Sequence, residues 1–299
     1  MAISKPSPSP SARGRPAPAP RTRTVARRLG ARFALPTWLS IPLVAVAASA
    51  AAFGVFDPSI FRDPAMTAGN ARGTALVVLV LALPVLIGSI ILTWRGSLRA
   101  QLVWLGALGY ILYNSFVFAF VVHFNALFLL YVAMLSLAFW SLLTLLRRLD
   151  PEVFRAHAAP GLPLRFIAGV LVVLTLLFFA TWMRDIVPAL IDHSTPAGLE
   201  GTGMLTNPFQ VMDLSVVFAL QLLTAVWLWR RRAWGFLLAP ALLVMQTIES
   251  VSVASDQTFG HLADSTQSLA AVPLFAVLAL VVLVPTVIIL RGIQEKATG

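Results

Sequence analysis

The most constraining feature of this sequence is a series of long apolar runs that recur along most of its length. Each run holds about 20 near-continuous apolar residues, enough for one helix to cross roughly 30 Å of hydrocarbon. Lipid cannot satisfy backbone N–H and C=O groups, and the runs lack the alternation of barrel strands, so each run is predicted to be helical. The predicted fold is therefore an all-α, polytopic membrane bundle of about eight transmembrane helices. The predicted spans are residues 38–56, 74–94, 102–122, 126–146, 166–183, 211–229, 234–254 and 270–290.

Composition agrees with a membrane protein. With 59% hydrophobic and 11% charged residues, the 299-residue chain has too few polar side chains to cover a soluble globule, which excludes a water-soluble enzyme. The bundle is predicted over residues 34–291, followed by a short cytoplasmic tail over 292–299. Residues 1–33 are rich in Pro, Ser, Ala and Arg and are predicted to form a disordered basic tail. The alternative is that residues 1–52 form a long signal peptide that is cleaved within the first span.

The net charge of +10 is distributed unevenly between the two sides of the predicted spans. On one side lie 19 Arg and Lys residues, and on the other only Arg62, Arg72 and Arg184. The positive-inside rule assigns the basic side, with both termini, to the cytoplasm. The bias toward Arg, Ala and Pro is typical of a high-GC bacterium, so the expected location is a bacterial plasma membrane. The basic tail is expected to contact anionic lipid in the bilayer, and no nucleic acid is expected as a partner.

The order of the loops favours an internal duplication. Tight basic turns join spans two and three and spans six and seven, and a longer loop on the opposite side precedes each pair. This order predicts a 4+4 parallel repeat, whose halves are related by an axis along the membrane normal. Residue identity between the halves is poor, so coincidental hydropathy is the alternative.

The polar residues inside the spans are the candidates for function. Glu249 in span seven and Asp213 in span six are carboxyl groups in apolar runs, where a charge is costly. Because most intramembrane polar residues fall in the predicted outer half, we predict an outward-facing polar cavity that binds a cation, a proton or a small polar solute. The alternative is that the carboxylates reach the interface or pair with Arg184, and that the amides only pack helices. The candidate cavity residues are Glu249, Asp213, Gln246, Asn114, Tyr110, Asn125 and Arg184.

Motifs for other chemistry are missing from the sequence. The chain has no cysteine, and its only lysines, Lys5 and Lys296, lie near the two ends, so thiolate chemistry and a P-loop are excluded. His123, His193 and His261 fall on the predicted outer side together with several aspartates, but their spacing matches no ligand motif. We therefore predict no metal site, no cofactor and no catalytic residue.

Four segments of spans three to eight form a pattern: GYILYN (109–114), FNALFLLYVA (124–133), VMDL (211–214) and WRRRAWG (229–235). This pattern resembles one found in a family of uncharacterised polytopic bacterial membrane proteins. The resemblance implies a shared helical fold and points to Asn114, Asn125 and Asp213. It implies no activity.

Three functions are compatible with these observations. The leading hypothesis is a transporter-like or solute-binding membrane protein that uses the predicted cavity. The second is a structural or accessory subunit of a membrane complex, with a protein partner or a homo-oligomer. The third is an intramembrane enzyme acting on a lipid-linked substrate, for which Glu249 with His123 or His261 is the only candidate acid–base set.

The predicted orientation is testable with single cysteines, because the chain has none of its own. Ser194→Cys lies in a predicted outer loop and is expected to react with a membrane-impermeant maleimide in intact cells. Gly161→Cys lies in a predicted cytoplasmic loop and is expected to react only after the cells are permeabilised. The opposite labelling pattern would reverse the predicted topology.

Overall fold

The computed structural model describes the backbone of residues 21–295 and the side chains of residues 33–295. The first 20 residues of the predicted basic tail and the last four residues of the predicted C-terminal tail lie outside the described residues. The described part contains helices and no strand beyond one isolated bridge. Its helices are α1 (Arg21–Phe56), α2 (Ala65–Trp94), α3 (Leu98–Phe120), α4 (Phe128–Leu146), α5 (Pro151–Ala156), α6 (Leu164–Ile191), α7 (Pro208–Trp229), α8 (Ala233–Ala263) and α9 (Ala271–Gly292).

All of these helices except the short α5 are long and apolar enough to cross a membrane. The predicted all-α polytopic bundle is therefore confirmed, and the protein is a multi-pass membrane protein. Consecutive spans run in opposite directions, so the loops collect at two ends. We call the end that holds the α1–α2, α3–α4, α6–α7 and α8–α9 loops the Arg-poor end, and the opposite end the Arg-rich end.

Several helices continue beyond the predicted spans. At the Arg-poor end, α2 begins at Ala65 rather than residue 74, α6 ends at Ile191 rather than 183, and α8 ends at Ala263 rather than 254. The backbone of residues 21–33, which were predicted as tail, continues α1. Hydropathy detects only the lipid-crossing part of a helix, and the extensions of α2 and α8 are less apolar because they pack against each other.

The start of α7 has a side-chain N-cap. Asn207 precedes Pro208, and its Oδ1 accepts hydrogen bonds from the backbone N–H groups of Phe209, at 3.0 Å, and Gln210, at 3.3 Å. These contacts satisfy two donors that the first turn of a helix leaves free. The cap fixes the end of α7 that lies closest to the candidate site.

Helices α3 and α8 form the centre of the bundle. The most apolar stretches of α3 and α8 are 61% and 67% buried inside the protein, against 28% for those of α4 and α6. Helix α8 packs against α2, α3, α7 and α9. At Gly106 of α3, an added Cβ atom would lie 2.5 Å from the carbonyl oxygen of Ala241 in α8, so the two backbones touch there. The predicted intramembrane residues Asn114 and Glu249 lie on these two central helices.

Helices α2 and α8 also meet backbone to backbone, beside the Arg-poor end. Gly69 and Gly73 lie one turn apart on α2, in a G-x-x-x-G arrangement. An added Cβ would lie 2.5 Å from the carbonyl oxygen of Phe259 at the first glycine, and 2.5 Å from Cα of Asp256 at the second. The Ser255 hydroxyl donates a hydrogen bond of 2.9 Å to the carbonyl oxygen of Gly73. Only glycine permits this approach.

The Arg-rich end is fixed by contacts of the C-terminal segment. Arg99 at the start of α3 donates from Nε to the carbonyl oxygen of Ile293 at 2.8 Å. The backbone N–H of Gln294 donates to the carbonyl oxygen of His157, just after α5, at 2.7 Å. The end of α9 is therefore attached to both α3 and α5.

Two spanning helices each contain a π-helical segment, Val78–Ala82 in α2 and Asp213–Val217 in α7. Each segment is followed by 12 α-helical residues that end at a tryptophan before a basic turn. Helices α2 and α7 are the second spans of the two predicted halves, and the third spans, α3 and α8, are the two most buried helices. These correspondences support the predicted 4+4 repeat, which stays a prediction.

The glycine contact between α2 and α8 predicts a specific stability difference. Gly73→Ala is expected to destabilise the protein by about 1–3 kcal/mol, because its Cβ meets backbone atoms that cannot rotate away. Gly88→Ala is the control on the same helix: nothing lies within 4 Å of its Cβ position. Alanine there is expected to stabilise the helix by up to about 1 kcal/mol. Thermal unfolding in detergent, followed by circular dichroism, measures the stability of both variants. Equal stabilities of Gly73→Ala and Gly88→Ala would contradict the contact between α2 and α8.

Candidate functional site

A cavity of about 710 Å³ lies at the Arg-poor end of the bundle. Its walls come from α2, α3, α6, α7, α8 and α9, and residues of the α6–α7 and α8–α9 loops complete the lining. The volume falls in the range of small-molecule sites. Asp213 and Glu249, the two predicted intramembrane carboxyl groups, both line this cavity.

Asp213 is held by donors from two neighbouring helices. The Tyr113 hydroxyl of α3 donates to Oδ1 at 3.1 Å, and the Trp182 indole N–H of α6 donates to Oδ2 at 3.0 Å. Asp213 is also the first residue of the π-helical segment of α7. One carboxyl group therefore joins α3, α6 and α7 at the point where the helical geometry of α7 changes.

Glu249 accepts a hydrogen bond from the described side chains at only one of its two carboxyl oxygens. The Asn114 amide of α3 donates from Nδ2 to Oε2 at 2.9 Å, and it also lies 3.3 Å from the carbonyl oxygen of Tyr110. The Tyr110 hydroxyl in turn donates to Oγ of Ser252 at 3.0 Å. Asn114 and Tyr110 are buried behind the cavity and support Glu249 without lining it. No donor among the described side chains bonds to Oε1 of Glu249, which leaves that oxygen free for a ligand.

The other predicted residues divide into two groups. Gln246 lines the cavity one turn before Glu249. Asn125 lies away from the cavity, where its Oδ1 accepts a hydrogen bond of 2.8 Å from the backbone N–H of Leu127. The side chain of Arg184 is exposed and does not line the cavity. Within the described part of the chain Arg184 forms no ion pair with either carboxyl group, so the alternative pairing with Arg184 is not formed.

Asp256 is a site residue that sequence reasoning placed elsewhere. The sequence assigned it to an outer loop, but it lies within α8, is 9% exposed and lines the cavity. Its Oδ1 accepts a hydrogen bond of 3.2 Å from Nε2 of Gln257. Asp256 follows Glu249 by seven residues, a spacing that places both on one face of a helix. This spacing is the signal that would have identified it.

Aromatic side chains form much of the remaining wall. Phe178 of α6 and Phe275 of α9 stack with ring centroids 6.0 Å apart, and Tyr113 and Phe209 are also 6.0 Å apart. Trp182 and Phe218 contribute two further rings. Sequence reasoning missed them because aromatic residues are frequent in apolar spans, and packing alone decides which of them face a cavity.

All charged side chains of the described residues in the cavity lining are acidic. Its carboxyl groups belong to Glu200, Asp213, Glu249 and Asp256, and no Arg, Lys or His of the described residues lines it.

The histidines do not complete this site. His123 and His261 are absent from the cavity lining, so neither stands beside Glu249 as the predicted acid–base partner. Nδ1 of His261 lies 2.7 Å from the carbonyl oxygen of Gln267 instead. The described residues also contain no group of three or more His, Asp or Glu side chains arranged to hold a metal ion.

Fold and site together define a class: a multi-pass α-helical membrane protein with an acidic, aromatic-lined cavity at one end of its spans. No protein family, curated protein or solved structure matches the chain. The resemblance of its sequence segments to a bacterial membrane protein family stays a prediction.

The Asn114–Glu249 hydrogen bond predicts a measurable coupling. A double-mutant cycle of Asn114→Ala and Glu249→Ala is expected to give a coupling energy of about 0.6 kcal/mol, and at most about 1.7 kcal/mol, as for other hydrogen bonds between membrane helices. The control cycle pairs Asn125→Ala with Glu249→Ala, which are expected to be additive because they share no partner. Reversible unfolding in mixed micelles measures both cycles. Additivity in the first cycle would contradict the observed contact.

Proposed function

We propose that the protein binds a small solute in this cavity and carries it across the membrane, as a transporter does. The observation that carries the proposal is a solute-sized cavity within the spanning helices, lined by Asp213 and Glu249. Carboxyl groups in membrane spans are costly and are typical of substrate and ion pathways. Their shared position in one cavity favours function over helix packing alone.

The proposed location follows from the charge distribution. The Arg-rich end and both termini face the cytoplasm of a bacterium, and the plasma membrane holds the bundle. The cavity, at the Arg-poor end, then opens outward. The basic N-terminal tail contacts anionic lipid on the cytoplasmic side.

The packing around α7 favours movement of this helix. Helix α2 meets α8 through glycines, backbone to backbone, whereas α7, the counterpart of α2 in the proposed repeat, meets α3 through the Tyr113 side chain. The π-helical segment of α7 begins at Asp213. Such segments occur frequently at functional sites. The side-chain contact between α7 and α3 can therefore change when a ligand changes the contacts of Asp213.

Filling the cavity tests the proposal. Ala271→Trp places an indole in the cavity from α9, whereas Ala276→Trp, on the same helix, projects from an exposed position. A thermal-shift screen of cationic, anionic and neutral solutes is expected to find compounds that stabilise the wild-type protein. These compounds are expected to lose their effect in Ala271→Trp and to keep it in Ala276→Trp. Flux of the same compounds into proteoliposomes is expected to follow this pattern.

Three results would count against the proposal. One is a screen in which no solute stabilises the wild-type protein. Another is a Glu249→Gln protein whose thermal stability, ligand response and proton-dependent flux are all unchanged. The third is stable co-purification with one membrane complex and no flux by the protein alone, which would favour the accessory-subunit hypothesis.

A further inference from the structure

The chemistry of the cavity wall defines the class of solute. We infer that the ligand is a small organic cation, in which an amine nitrogen lies near Asp213 and Glu249 and an apolar body contacts the aromatic rings. This inference rests on the proposed function, because it concerns the same cavity.

The first argument is charge. Glu249 and Asp256 lie on one face of α8, Asp213 approaches from α7, and Glu200 lies in the exposed α6–α7 loop. No basic side chain of the described residues lines the cavity to balance them. An anion would be repelled, and a neutral solute would displace water from these groups without balancing their charge. A cation is the class of solute that balances these carboxyl groups in their ionised form.

The second argument is the set of free hydrogen-bond positions. Both oxygens of Asp213 already accept from Tyr113 and Trp182, which fix the direction of that carboxyl group. Oε1 of Glu249 accepts from no described side chain. An ammonium group has N–H donors and no acceptor, so it matches an oxygen that lacks a donor.

The third argument is the aromatic wall. The faces of aromatic rings carry negative partial charge and attract cations, Trp most strongly. Trp182, the Phe178–Phe275 pair and the Tyr113–Phe209 pair all line the cavity. Methionines at positions 66, 204 and 245 add polarisable surface that adapts to an apolar body. Carboxylates among aromatic rings are a typical environment for an organic ammonium ion.

A bare metal ion fits less well. Ions such as Ca²⁺ need six to eight oxygen ligands at about 2.3–2.6 Å. The described residues contain no cluster of three His, Asp or Glu side chains that could begin such a shell. A cavity of about 710 Å³ is also far larger than one ion, and its aromatic wall supplies no ligands.

Three probes of similar shape separate charge from size: benzylammonium, benzyl alcohol and benzoate. Isothermal titration calorimetry on the purified full-length protein is expected to show benzylammonium binding at least about tenfold more tightly than benzyl alcohol, a difference of about 1.4 kcal/mol. Benzoate is expected not to bind.

Variants of cavity-lining residues then test whether these residues cause the preference for benzylammonium. Asp213→Asn and Glu249→Gln are each expected to weaken benzylammonium binding at least about tenfold, with little change for benzyl alcohol. Phe178→Leu is expected to weaken it by about 2- to 30-fold, the range of one cation–π contact. Matched controls are Asp192→Asn and Phe139→Leu, whose side chains are exposed and do not line the cavity. Gel filtration and circular dichroism confirm that each variant is folded.

The outcomes separate this inference from the proposed function. If benzyl alcohol binds as tightly as benzylammonium and both are lost in Ala271→Trp, the cavity binds solutes and the cation inference is wrong. If benzylammonium binds unchanged in Ala271→Trp, both proposals fail. The cation inference is also overturned if none of the three probes binds, or if folded Asp213→Asn and Glu249→Gln proteins bind benzylammonium like the wild type.

Discussion

A carboxyl group inside a membrane needs hydrogen-bond donors from the protein, because lipid supplies none. Here the donors come from neighbouring helices: Asn114 of α3 bonds to Glu249 of α8, while Tyr113 of α3 and Trp182 of α6 bond to Asp213 of α7. The hydrogen bonds to these two carboxyl groups therefore connect four helices, α3, α6, α7 and α8, around one cavity. The burial of α3 and α8 at the centre of the bundle positions Glu249 and the donors Asn114 and Tyr113.

The two sides of the central pair α3 and α8 are packed differently. On one side α2 packs on α8 through glycines, with no room for a side chain between the backbones. On the other side, α6, α7 and α9 line the cavity together with the central helices. If the two halves are repeats, the α2–α8 interface corresponds to the α7–α3 interface. The first is closely packed through glycines, whereas the second borders the cavity. The site would then arise from a difference in packing between similar halves, not from an added domain.

Much of the fold and part of the site could be predicted. All eight spans were found, because bilayer thickness acts on consecutive residues. Of the candidate residues, the structure gathers Glu249, Asp213 and Gln246 in one cavity, with Asn114 and Tyr110 directly behind it. Asn125 and Arg184 lie elsewhere. Their polarity was visible in the sequence, but the direction of their side chains depends on neighbours distant in the chain.

The sequence by itself determined that the chain crosses a membrane, where each crossing lies, and which polar residues are costly there. These properties follow from local hydropathy and from the length of helix that hydrocarbon requires. Only the tertiary structure decided which helix faces meet. It placed Asp256 in the cavity, extended α2 and α8 into mutual contact, and set six aromatic rings in the wall of the cavity. Such contacts join residues far apart in sequence, and lateral packing among apolar helices depends on small differences in shape that hydropathy does not record.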